Sequence, residues 1–232
     1  MMIALAAAAI ALPVSVWAEV RGAGTGARAA RIALYIALGL VIWLEAGEQA
    51  FRGSETSLLG WFILGLAALL VGEVMAALGG RAAPWSLVPI PVMAVCFALG
   101  FDVLRPDAYS FVPAVILGAM TLAVAGRTYF MLAGRQGKKA KPGEQLGLLL
   151  KIAAEAFLVY AAIFKVIDRG WVIQWAYMAA GGGLLFATGQ LWIGWRKLLG
   201  RKTVPAWAVA AASQVGILLM VAAAVFVYKE FL

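Results

Sequence analysis

Eight apolar stretches follow one another along this chain, at about 2–19, 30–48, 56–79, 84–101, 108–132, 145–166, 171–195 and 204–229. A helix rises about 1.5 Å per residue, so each stretch is long enough to cross the roughly 30 Å hydrocarbon core of a bilayer. Of the 232 residues, 65% are apolar or aromatic and 13% are charged, whereas a soluble domain is about half apolar and a quarter charged. The expected fold is therefore all-α: a polytopic integral membrane protein with about eight transmembrane helices and one transmembrane domain, 1–232. The least regular stretch is 84–101, where Pro84, Pro89 and Pro91 delay or kink a helix. The first stretch has no basic residue ahead of its apolar core, so it reads as an uncleaved helix rather than a secretory signal.

The few charges then carry most of the remaining information. With no histidine and the single Cys96, histidine-ligated haem, histidine zinc sites, serine–histidine catalysis and disulfide frameworks are excluded. No metal or other cofactor is called for. The net charge of +8 is spread over connections between apolar runs, which points to membrane orientation rather than nucleic acid. Odd-numbered connections hold twelve basic residues: Arg21, Arg28, Arg31, Arg81, Arg135, Lys138, Lys139, Lys141, Arg196, Lys197, Arg201 and Lys202. Even-numbered ones hold four: Arg52, Arg105, Lys165 and Arg169. The positive-inside bias places odd connections in the cytoplasm and both termini outside, in a multi-pass protein of the bacterial inner membrane. Trp17, Trp43, Trp61, Trp85, Trp171, Trp192, Trp195 and Trp207 all fall near expected helix ends, where interfacial aromatic belts form.

The polar loop 134–144 divides the chain into 1–133 and 145–232, which carry a weak parallel echo. It sets Gly72-Glu73 beside Gly189-Gln190 at the same depth in the third and seventh stretches. A carboxylate inside hydrocarbon is costly enough to be a functional hypothesis by default. Glu73 qualifies as a general acid or proton-binding site, or as a neutral carboxyl hydrogen-bonded between helices. Glu155 follows Lys151 by four residues, a helical spacing at which the two neutralise each other. Tyr160, Gln174, Gln190, Ser213 and Gln214 supply neutral polar groups that line a cavity or join helices. The Gly181-Gly182-Gly183 run reads as a point of close helix packing.

Four segments resemble the YhhN-like family of eight-helix membrane proteins, whose characterised members are lysoplasmalogenases. They are Ala18-Glu19-Val20-Arg21-Gly22, Leu69-Leu70-Val71-Gly72-Glu73, the run from Gly182 to Gln190, and Ala212-Ser213-Gln214. The resemblance implies hydrolysis of the vinyl ether of a lysophospholipid: protonation of the enol ether, then attack of water on the oxocarbenium. It implies Glu73 as proton donor and Gln190 as the residue that positions water, with Gly72, Gly189 and Gln214 binding substrate. Membrane lipids are the implied partners. The sequence departs from the family where the second acid is replaced by Gln190 and where a fourth-helix histidine has no counterpart. Those departures favour a degenerate relative that binds lipid or serves as a subunit of a membrane assembly. A proton-coupled transporter using Glu73, Glu155 and Lys151 is a further alternative.

Overall fold

The structure is a computed structural model that describes residues 2–51, 57–79, 88–101, 142–167, 173–199 and 204–230, with five isolated helical positions between 115 and 127. The described residues form seven α-helices: α1 (Met2–Val20), α2 (Gly24–Ala46), α3 (Ser57–Leu78), α4 (Pro89–Gly100), α5 (Pro142–Ile167), α6 (Ile173–Leu199) and α7 (Ala206–Glu230). A short 3-10 turn, Gly47–Phe51, follows α2. Among the described residues there is no strand. Among the described residues, three helices are long and apolar enough to cross a membrane: Gly24–Ala46, Leu58–Leu78 and Ala206–Tyr228. Of the expected fifth span, 108–132, only the five isolated positions are described, and most of 134–144 lies outside the described residues.

Two boundaries differ from the sequence expectation. Helix α2 begins at Gly24 rather than near residue 30, after a two-residue turn in which Gly22 takes φ 69°. Arg28 and Arg31 therefore belong to the helix and not to the first connection. Helix α4 begins only at Pro89. Proline is tolerated in the first turn of a helix, where its missing N–H leaves no bond unmade. Its 12 residues rise about 18 Å, short of a full crossing.

The helices close into a ring. Each packs on its neighbour in sequence from α1 to α7, α7 returns to α1, and α7 also touches α2 and α3 across the middle. Fully buried side chains fill the interior from every side, among them Leu34 and Leu38 of α2, Phe62 of α3, Phe97 of α4, Leu158 of α5 and Met220 of α7. Glycines set the closest approaches. A Cβ on Gly182 would lie 2.7 Å from the Gly216 carbonyl, and one on Gly216 would lie 2.6 Å from the Gly182 carbonyl, so α6 and α7 touch backbone to backbone. Gly65 and Gly100 each receive a phenylalanine ring from the facing helix, Phe97 and Phe62 respectively, and the two rings lie 4.6 Å apart.

The outer faces are as apolar as the interior. On α3 the exposed positions include Trp61, Leu64, Val71, Val74 and Leu78; on α2 they include Ile36, Leu40, Trp43 and Leu44; on α1, Ile10, Val14 and Trp17. Spacings of three and four residues make each set a stripe along its helix. A helix that is apolar all round suits lipid on its outer side rather than water.

Candidate functional site

One cavity of about 670 Å³ penetrates the ring from one end. It is reached from the last turns of α1 and α3, the second half of α6, and the first halves of α2, α4, α5 and α7. Helical periodicity explains which side chains arrive. Arg28, Arg31 and Tyr35 follow one another at steps of three and four, as do Phe186, Gln190 and Ile193 on α6, while Leu69, Gly72, Glu73 and Ala76 share one face of α3. On α7 the stripe runs through Ala206, Ala210, Ser213 and Ile217, with Gln214 beside it.

The cavity has a charged wall. Arg31 donates from Nε to Glu73 Oε1 at 2.6 Å and from Nη2 to Glu73 Oε2 at 3.1 Å, while its Nη1 donates to Glu19 Oε1 at 2.6 Å. Arg28 Nε stands 3.8 Å from Glu73 Oε2. One guanidinium thus joins α1, α2 and α3, using its planar fork on Glu73 and its remaining edge on Glu19. On α5, Lys151 pairs with Glu155 at 3.5 Å, the helical i, i+4 pair that their spacing predicts. Lys151 lines the cavity; Glu155 is buried behind it and does not.

The opposite wall, from α6 and α7, is polar without charge. Gln190 Nε2 donates to Ser213 Oγ in a long contact of 3.5 Å, and Ser15 Oγ of α1 donates to Gln214 Oε1. Gln190 Oε1 and Gln214 Nε2 are buried with no hydrogen-bond partner among the described residues. Leu69, Ile90, Phe186, Ile193 and Ile217 add apolar surface to the lining.

Glu73, Gly72, Gln190, Gln214 and Lys151 therefore share one cavity, as do Ser213 and Glu19. Gly189 does not line it. A Cβ there would lie 2.9 Å from the Ser213 backbone nitrogen and 3.0 Å from the Val209 carbonyl, so this glycine serves α6–α7 packing. Tyr160 and Gln174 are likewise outside the lining. Glu73 is not an isolated acid: both of its oxygens accept from Arg31. Reading from sequence overlooked Arg28, Arg31 and Tyr35 because two of them lie where a basic loop was expected. Their i, i+3, i+7 spacing, and the need of a buried carboxylate for a cation, were the available signals.

Among the described residues no group of three or more Cys, Asp or Glu side chains is placed to hold a metal ion. A 670 Å³ cavity with apolar walls and a few convergent polar groups is of the kind that holds a small ligand. Guanidinium, ammonium, carboxylate and amide groups line it beside apolar side chains. No family model, no curated protein and no solved structure matches this chain.

Proposed function

We propose that this chain is a YhhN-like, lysoplasmalogenase-like membrane protein that takes a lysophospholipid into the cavity and hydrolyses its vinyl ether bond there. The observation that carries the reading is the convergence of Glu73, Gln190 and Gln214 from three helices on one cavity. Arg28, Arg31 and Lys151 offer cations to a phosphate head group. Water supplies the proton to the enol ether carbon, and the Glu73 carboxylate, held by Arg31, offers compensating negative charge to the oxocarbenium that forms. Gln190, which lines the same cavity, offers an amide to the attacking water. Purified protein given a lysoplasmalogen is expected to release a fatty aldehyde, and Glu73→Gln to stop that release. Aldehyde formation unchanged in Glu73→Gln would remove Glu73 from the reaction.

The same ion pair supports a second reading, a lipid-binding protein without turnover or a subunit of a membrane assembly. Arg31 occupies both oxygens of Glu73, and a glutamine at 190 cannot take a proton from water as a carboxylate does. Lysolipid bound in stoichiometric amount with no aldehyde formed would select it.

The membrane placement we infer is eight spans with the cavity end in the cytoplasm. Helices α4 and α5 both begin at the cavity end, and the apolar run 108–132 lies between them in sequence, so one more crossing restores alternation. The cavity end is also the end of the odd, basic connections, which the positive-inside bias assigns to the cytoplasm. There Arg21 stands 4.3 Å over the Trp17 ring, a pairing suited to the head-group layer.

A further inference from the structure

Glu155 is a buried acid that the proposed reaction does not use. Its residue is 7% exposed, and Oε1 has no hydrogen bond among the described residues. Its ion partner is Lys151, 3.5 Å away and one helical turn nearer the cavity end of α5. Lys151 lines the cavity and Glu155 stands behind it. A carboxylate so placed stays ionised only while a cation attends it.

The neighbouring helices hold no substitute for that cation among the described residues. Helix α5 packs on α4 and α6. On α4 the titratable group is Cys96, which is set against Gly65 of α3. Helix α6 meets α5 at Gly183, over Ala162 and Val159. From there to Ile193, on the Glu155 side of the meeting point, the side chains of α6 carry no charge, and Tyr177 lies on the other side. Tyr160 and Lys165 follow further along α5, away from the cavity end. Glu19, Arg28, Arg31 and Glu73 belong to the cluster on α1, α2 and α3. Lys151 is accordingly the charged side chain that acts on Glu155.

The charges on the lining are unequal. Three cations, Arg28, Arg31 and Lys151, face the cavity with two carboxylates, Glu19 and Glu73. Arg31 is committed to both of those carboxylates, whereas the acid that balances Lys151 is withdrawn behind it. An entering oxyanion therefore finds in Lys151 a compact cation with three donors, whose counter-charge does not share the lining. Once the two pair, two anions share one ammonium in a setting too apolar to leave either uncompensated. A proton on Glu155 restores neutrality. Lys151 passes a proton to Glu155 across the 3.5 Å between them and regains one from cavity water, so the net change is one proton drawn from solution.

We propose that the cavity binds a phosphate- or sulfate-type oxyanion at Lys151 together with one proton at Glu155, so that anion binding and proton uptake are coupled. This rests on the cavity accepting an anionic head group, and it requires no hydrolysis. A complex that holds one more proton than its separate parts binds more tightly as pH falls, by up to about tenfold per pH unit.

The full chain in dodecyl maltoside is titrated near neutral pH with oleoyl lysophosphatidylglycerol or with inorganic sulfate. Neither ligand changes its own charge there, and neither has a vinyl ether, so the coupling and the hydrolase reading stand or fall separately. Isothermal titration calorimetry in two cationic buffers of different ionisation enthalpy counts the protons. Uptake of about half a proton or more per bound lipid is expected, falling to about a tenth or less in Glu155→Gln, which still binds. Lys151→Met is expected to bind more weakly and also without uptake, because Glu155 is then neutral before any ligand arrives. Uptake with sulfate as well as lipid extends the site to free oxyanions, and uptake with lipid alone confines it to head groups; both results keep the coupling. Binding without uptake in the unaltered protein, or no binding of either ligand, overturns it. Uptake that persists in either variant also overturns it, and if Glu155→Gln does not fold, Lys151→Met decides alone.

Discussion

Arg31 holds two carboxylates that would otherwise face one another across α1 and α3. Its side chain and that of Glu73 keep about a fifth or less of their exposure, so removing the cation leaves acids that are only partly hydrated. Arg31→Met is expected to destabilise the fold, by less than the roughly 3–5 kcal/mol seen when a fully buried pair is broken. Adding Glu73→Gln to Arg31→Met is expected to restore part of the loss, because one of the two stranded charges disappears. Thermal unfolding of the two single variants and the double variant measures the coupling. Strict additivity would show that Arg31 and Glu73 do not act as a pair. Of this wall only Glu73 was legible from sequence: acids are so few that it stands out within an apolar run. The partner was not, since periodicity within one helix says nothing about which residue a neighbouring helix brings opposite. Ser15, which meets Gln214, was hidden for another reason: a serine in an apolar helix costs little and draws no notice.

Among the elements, α6 and α7 form the tightest seam, with Gly182, Gly189 and Gly216 each placed where a Cβ would strike backbone. Gly216→Val inserts a branched side chain against the Gly182 carbonyl and the Phe186 backbone nitrogen, both 2.6 Å from the new Cβ. Overpacking of this kind costs about 1–3 kcal/mol or more, and the thermal midpoint in detergent is expected to fall accordingly. Gly181→Ala, at a position with nothing within 4 Å, is expected to leave it unchanged or to raise it. A Gly216→Val protein as stable as the parent would mean that the two helices are not in contact there. The glycine run was readable as a packing device, but which glycine faces the neighbour depends on rotation about the helix axis. Gly189, expected at the substrate, precedes a cavity residue yet faces Ser213 and Val209 in the seam. At α2 the opposite error arose, because arginines near a helix start look like loop charges until their spacing of three is taken as helical.

The whole molecule turns a shortage of charge into a place. Apolar stripes cover the outside, phenylalanine and leucine fill the ring, and several of the polar groups that remain inside meet in one cavity at the basic end. Accessibility of the lining tests that convergence. In a Cys96→Ala background, single cysteines at Ala76, Ile193 and Ala210 place a thiol on the cavity lining from α3, α6 and α7. A fourth, at Leu64, faces outward on α3. Membrane vesicles of both orientations are treated with a small charged thiol reagent, with and without lysophospholipid. All three cavity cysteines are expected to react from the cytoplasmic side alone and to be protected by lysophospholipid, and the cysteine at Leu64 is expected to stay unreactive. Reaction from the opposite side would contradict the orientation. Protection of none of the three would contradict a shared lipid-binding cavity.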